Sequence, residues 1–439
     1  MKIKYLLGLA MTLTMAEATN AQQLSLQSCL EQGLNNSYQI QVVKINEEKS
    51  SNNNTWSNAG GMTSVNMSAG YSGSMYSRDT EARTDGAITS QRDITDHTLN
   101  ASVNADFTLF NGFKVQATKS RLQELYNIGT IQTKIAIEDY VAGLTSEYYN
   151  LVRQIIHLNN LGYAVTLSKE RLRIVQERFS LGNNSRLDLQ QAQVYFNADS
   201  AKSLKQHELI SSANIRINKL MSNSDLNIRY TTADTAITLI SGLNYESLLS
   251  DMLANNTELL RSNSNKTIAE LDRKVVQSRN YPYLKLNASY GYTYNIYGST
   301  STIHRNNWGP NFGATMGINL IDGKHRSEQR NARLDVMSAA LESEQLELQL
   351  KADLNDFWQA YQNNLKLLQL ERENLRTAQE NHDIAYERYL LGELSGIEMR
   401  EAQKSLLDAE ESLLIVEYDT KICEISLLQI SGGVLKYLE

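Results

Sequence analysis

This chain carries one long pattern twice. Arg178-Phe179-Ser180-Leu181-Gly182, followed by Leu187-Asp188 and Gln190-Gln191-Ala192-Gln193, returns as Arg388-Tyr389-Leu390-Leu391-Gly392, Ile397-Glu398 and Arg400-Glu401-Ala402-Gln403, at an offset of 210 residues. Upstream, Leu144, Leu151, Ile155 and Leu158 match Leu354, Tyr361, Leu365 and Leu368 at the same offset. Asn111-Gly112 matches Asp322-Gly323 at 211, and Leu34-Asn35-Asn36-Ser37 resembles Ala254-Asn255-Asn256-Thr257 at 220. A period of about half the chain is far longer than a solenoid repeat, so one large structural unit must be built twice. The change of offset between the two strand-like regions predicts a longer loop in the first half, around 77–96.

Each half holds two stretches of strict alternation. Val65, Met67, Ala69, Tyr71, Gly73 and Met75 alternate with small polar residues, as do Leu99, Ala101, Val103, Ala105, Phe107 and Leu109. In the second half the series are Leu284, Leu286, Ala288, Tyr290, Tyr292, Tyr294 and Ile296, then Trp308, Phe312, Ala314, Met316, Ile318 and Leu320. Period two puts one set on each face of a strand. The runs are about 10 to 14 residues long, against roughly 9–11 for a tilted strand that crosses a bilayer and about 5–6 for a soluble one. One face suits lipid and the other water; Tyr71, Tyr76, Tyr294, Tyr297 and Trp308 suit an aromatic girdle. A soluble sandwich with one wet face is the competing arrangement. Four spanning strands cannot close a barrel, and an open edge in lipid is costly. Two copies would give a lumen filled by side chains, whereas three give twelve strands and room for a channel.

After each strand pair comes a proline-free run, from about Phe113 to Leu181 and from about Lys324 to Leu391; the chain has only Pro282 and Pro310. Each run predicts a helix on the order of 100 Å long, too long for a compact domain to bury. Leu144, Tyr148, Leu151, Ile155, Leu158, Gly162 and Val165 are spaced near 3.5, as are Leu350, Leu354, Phe357, Tyr361, Leu365 and Leu368, the period of left-handed supercoils. Return helices are expected at about Arg186 to Met221 and Gly396 to Ile430. The breaks, Gly182-Asn183-Asn184-Ser185 and Gly392-Glu393-Leu394-Ser395-Gly396, hold the residues that accept positive φ.

The pieces follow in order: an export segment at 1–21, an N-terminal helical segment at 22–61, a first strand pair at 62–110 and a first long hairpin at 111–222. A linker and helical segment at 223–282, a second strand pair at 283–321, a second hairpin at 322–431 and a tail at 432–439 complete the chain. The export segment rests on Lys2 and Lys4, the apolar run from Tyr5 to Met15 and the small-residue site Thr19-Asn20-Ala21. Beyond it no apolar run is long enough for a membrane helix. A formal charge of −7 lacks the footprint of a nucleic-acid binder. The six histidines are scattered without a His-Glu-x-x-His pair, and there is no Gly-x-Ser-x-Gly elbow or Cys-x-x-Cys. An enzyme is therefore not expected, nor a cofactor or metal. Cys29 and Cys423 could pair in an oxidising compartment or stay apart.

The twin Arg-Phe/Tyr-x-Leu-Gly turns with their acidic and Ala-Gln followers, the Asn-Gly and Asp-Gly after each strand pair, and the opening Leu24 to Glu31 and Ser37 to Ile40 resemble the TolC-like outer-membrane efflux protein family. The resemblance covers nearly all of the chain past the export segment. It implies an α+β membrane protein: a homotrimer with a shared twelve-stranded barrel in the outer membrane, continued by a long α-helical coiled-coil barrel in the periplasm. It implies the passive exit duct of a tripartite efflux or type I secretion system, docked to a periplasmic adaptor (membrane fusion) protein and an inner-membrane pump. A periplasmic or surface coiled-coil scaffold without channel activity is the alternative. Carried over residue by residue, Leu181, Gly182, Leu391 and Gly392 are adaptor-docking turns. Asp188 and Tyr389 are the gate, a phenol donating to a carboxylate. Glu398 and Glu401 are pore-facing acidic rings, which favour cations and raise one another's pKa. Leu394 stands where the family carries a basic residue of its salt link.

Overall fold

The computed structural model describes residues 22–438; the expected export segment lies outside the described residues. β1 (Gln22–Leu24), α1 (Leu26–Asn36) and α2 (Tyr38–Asn53) precede β2 (Ser64–Glu81), β3 (Ile88–Asn111), α3 (Lys114–Ser180) and α4 (Arg186–Leu220). Then come β4 (Tyr230–Thr232), α5 (Tyr245–Asn255), α6 (Thr257–Gln277), β5 (Tyr283–Ile296), β6 (His304–Gly317), α7 (Gly323–Leu391) and α8 (Gly396–Ile430). The order of strand pair and helical hairpin is thus repeated. With no proline to interrupt them, α3 and α7 run 67 and 69 residues, each on the order of 100 Å. The chain divides into two compact units, one of residues 45–132 and 260–345, the other of 22–44, 133–259 and 346–438.

The first unit is built on an antiparallel sheet in the order β2-β3-β5-β6. Its register aligns the alternation of all four strands. Val65, Ala105, Ala288 and Phe312 form one cross-strand row, and Ala69, Ala101, Tyr292 and Trp308 another. The intervening rows are polar: Asn66, Asn104, Ser289 and Asn311, then Ser68, Ser102, Gly291 and Gly309. Ser68 and Ser102 hydroxyls lie 3.1 Å apart, and Asn104 donates to Asn66 at 3.2 Å. A one-residue slip in any strand would mix the two faces. Among the described residues nothing covers the apolar face: Met67, Trp308 and Phe312 are 77%, 74% and 86% exposed.

Two sequence expectations need correction here. The segment 77–96 is not a loop. β2 continues to Glu81 and β3 starts at Ile88, with a bulge between Tyr76 and Arg78 and a short turn containing Gly86 at φ +69°. Its polar composition hid strands that pair only with each other. The last strand spans His304–Gly317 rather than Trp308 to Leu320, because it pairs along all of β5, from Ile296↔His304 to Tyr283↔Gly317. After β3 the chain turns at Gly112, φ +67°, where a Cβ would stand 2.1 Å from the Ser278 carbonyl oxygen. Only glycine fits that approach.

In the second unit the apolar seam of α3 makes the core. Leu144, Tyr148 and Leu151 are fully buried with Leu30 of α1 and Ile217 of α4, and Met221 follows α4. Leu354 and Tyr361 of α7 pack with Leu248 and Met252 of α5 and Leu427 of α8. Phe357, expected in the α7 seam, is 37% exposed. β1 and β4 form a three-residue parallel pair. A buried Lys421–Glu424 ion pair, 2.5 Å, holds chain segments as well as charge. Glu424 also accepts from the Tyr437 hydroxyl at 2.6 Å and the Ile240 amide at 2.7 Å, tying tail and linker to α8. Cys29 and Cys423 are both free. Cys29 lies against Met221, and burial pushes its thiol pKa up to about 12, so the thiol is inert.

Candidate gate and docking tip

The two hairpin turns use the same local chemistry. At the end of α3, Gly182 (φ +79°) donates to the Phe179 carbonyl and Asn183 to that of Arg178; at the end of α7, Gly392 (φ +81°) donates to Tyr389 and Glu393 to Arg388. Both are Schellman stops. Each return helix then opens on a capping box. The Ser185 hydroxyl accepts from the Asp188 amide, and Asp188 Oδ2 accepts from the Ser185 amide at 3.0 Å and hydroxyl at 2.8 Å. Ser395 and Glu398 repeat this arrangement, at 3.0 and 2.8 Å.

Asp188 and Glu398 are therefore equivalent residues of the two repeats, each at the third position of its helix. The sequence reading gave one to a gate and the other to a pore ring, and missed the job they share. Its signal was present as Ser-x-x-Asp and Ser-x-x-Glu. Within this chain Ser395 holds the Glu398 carboxyl below the usual range through its hydroxyl and amide. Glu401 is exposed one turn on.

The expected bond between Tyr389 and Asp188 is not made in this chain, where Asp188 Oδ2 is bonded to Ser185 instead. Tyr389 is 3% exposed and packs with Ala385, Met399 and Ala402. Its hydroxyl has no partner among the described residues, and burial pushes its pKa up, so it remains a donor. Arg178 of the first hairpin lies 5.2 Å over the Tyr389 ring and donates to the Tyr389 and Leu390 carbonyls at 3.1 and 3.2 Å. A cation thus caps the end of α7 from the other hairpin. Leu394 packs against the same cluster as Met399. It precedes the N-cap and meets the fourth helical residue, a hydrophobic staple. Leu181 and Leu391 project from the two turns, each 75% exposed.

One further tie joins the hairpins. Asp199 of α4, 1% exposed, takes a two-pronged bond from Arg400 of α8 at 2.6 and 2.8 Å, and one from the Ser168 hydroxyl of α3. Gln403 donates to the Ala164 carbonyl at 3.2 Å. Burial alone raises the Asp199 pKa, but Arg400 and Ser168 hold it below the usual range. No local pattern marks this cluster, whose members are some 200 positions apart.

Residues 248–433 match the outer membrane efflux protein family, whose members are channels and not enzymes. The fold is similar to that of a membrane protein from Pseudomonas aeruginosa, with a TM-score of 0.78 at 14% identity over 94% of this chain and 91% of that one. It is similar to the outer membrane protein VceC of Vibrio cholerae, 0.73 at 16% over 93% and 96%. It is also similar to the CmeC outer membrane channel of Campylobacter jejuni, 0.75 at 17% over 93% and 85%. No curated protein matches by sequence.

Proposed function

We propose that this chain, a TolC-like outer-membrane efflux channel protein by its family match and its fold, is the passive exit duct of a tripartite efflux or type I secretion system. The observation that carries this reading is the four-stranded sheet with one uncovered apolar face, one polar face and two unpaired edges, β2 and β6. Unpaired edges cannot stay open in hydrocarbon. Pooling three copies closes them into twelve strands around water.

The duct performs no chemistry. The energy comes from an inner-membrane pump, reached through a periplasmic adaptor that docks on the turns Leu181-Gly182 and Leu391-Gly392. The exposure of both leucines at rigid Schellman stops supports that docking. The gate works by moving Asp188 from its own cap to the free Tyr389 hydroxyl; both residues line one cavity of about 300 Å³. Glu398 and Glu401, three residues apart and exposed on the same helix face, form the acidic rings. Planar-bilayer recording tests the pore assignment. Glu398→Gln with Glu401→Gln lowers cation preference, and unchanged selectivity rejects the rings. A channel fractionates with the outer membrane, whereas a coiled-coil scaffold dissolves without detergent.

A further inference from the structure

A buried arginine at the hairpin tips lacks a counter-ion. Arg171 of α3 is 5% exposed, and neither of its terminal guanidinium nitrogens, Nη1 and Nη2, has a hydrogen-bond partner among the described residues. A neighbouring anion, Asp199, is already claimed: it is gripped by both nitrogens of Arg400 and by Ser168. Arg171 and Arg400 lie on the Tyr195 ring, each 5.0 Å from its centroid. That aromatic face offsets part of the cost of two neighbouring cations. It cannot satisfy the unused N–H groups, and an unpaired charge in the interior is expensive.

The space beside Arg171 is the cavity of about 300 Å³ that also takes in Arg178, Asp188, Gln191, Tyr195 and Tyr389. Two of its lining side chains, Arg171 and Tyr389, carry donors without partners among the described residues. The Tyr389 hydroxyl is unpartnered and buried. Arg178 spends its Nη2 on backbone carbonyls but adds positive charge. The one carboxylate on the wall, Asp188, is held by Ser185. A guanidinium with two unpartnered N–H groups is shaped for a planar carboxylate bound by two bonds, and a phenol alongside can give a third. All three atoms are closed to solvent here, so a ligand takes them up as the Arg171 and Tyr389 side chains turn toward the cavity they line. At about 300 Å³ the cavity has room for a carboxylate with several carbons behind it.

We propose that this cavity is a carboxylate-binding site, in which Arg171 grips the anion by its fork and Tyr389 donates a further hydrogen bond. The chemistry is the same for a small dicarboxylate from solution and for a glutamate side chain presented by a docking protein. Binding itself stands on the cavity alone; its use in docking rests on the duct reading above. Because the site lies between the two hairpins of one chain, an occupant joins α3 to α7, as Arg178 and the Asp199–Arg400 pair do.

Saturation-transfer NMR on the full-length protein in detergent micelles tests this with three probes: glutarate, a short neutral peptide carrying one glutamate, and the same peptide with glutamine. Glutarate, or the glutamate peptide, is expected to receive saturation that the glutamine peptide does not. Arg171→Gln is expected to weaken the effect at least tenfold. Tyr389→Phe, which removes one oxygen atom and leaves the packing in place, weakens it several-fold. Arg171→Lys keeps the charge but not the fork and falls between wild type and Arg171→Gln. Stronger binding of glutarate assigns the site to small anions; stronger binding of the glutamate peptide assigns it to a protein partner. No transfer to either carboxylate, or equal transfer in wild type, Arg171→Gln and Tyr389→Phe, overturns the proposal. Either negative result leaves channel conductance, and so the duct reading, untouched.

Discussion

Asp188 and Glu398 show how a residue's local duty limits its wider one. Each carboxylate closes a capping box, and replacing a capping serine by alanine typically costs about 1 kcal/mol of helix stability. We expect Ser185→Ala and Ser395→Ala to loosen their turns equally, read as faster hydrogen exchange in the first turns of α4 and α8; protection unchanged at both would contradict the shared cap. At Glu398 the effect is pH-dependent. Its folded pKa is lowered from 4.5, so the contribution is present above the unfolded value and fades as pH falls through the folded one. Protection at the start of α8, taken relative to the intrinsic exchange rate at each pH, is therefore expected to be flat above about pH 5 and to fall on further acidification. Glu398→Gln should remove that dependence. A gate that draws on Asp188 Oδ2 competes with such a cap, which makes the turn itself the element that switches.

At the scale of the element, the helices and strands were legible because each announces itself locally. Met67, Trp308 and Phe312 were placed on one face by alternation alone, and the length of α3 and α7 followed from missing proline. What was not legible depends on distant partners. The extension of β2 and β3 through 77–96 is polar on both faces and stands on cross-strand pairing. β1 and β4 are too short for any period to appear. The Asp199–Arg400 tie joins α4 to α8 across 201 positions. That tie makes a sharp prediction. Removing one partner of a buried pair costs about 3–5 kcal/mol, so Asp199→Ala, which strands Arg400 and Arg171 together, should lower the thermal midpoint strongly. Asp199→Leu with Arg400→Met should recover part of the loss; a single variant as stable as wild type would mean the pair carries no stability. The sheet offers a second contrast. A lysine in the lipid band of such a strand costs about 2–4 kcal/mol near the midplane. Met67→Lys should cut the amount inserted in the outer membrane, while Ser102→Lys on the polar face should insert normally and change conductance instead. Equal insertion of the two would contradict the assignment of faces.

For the whole molecule, duplication explains both what is shared and what differs. Two hairpins end on the same Schellman stop and the same capping box, so the repeat fixes the architecture of the tip. The differences lie between them: Leu394 staples where Asn184 cannot, and Arg178 caps α7 while its counterpart Arg388 turns to Glu393. The described residues of a single chain, moreover, leave a bilayer-length apolar face bare and two strand edges open, so the channel stands or falls on assembly. Native mass spectrometry of the protein extracted from the outer membrane in detergent measures this directly. The predicted result is a complex of three chains. A single chain, or a protein recovered from the periplasm without detergent, would contradict the shared barrel and the channel with it.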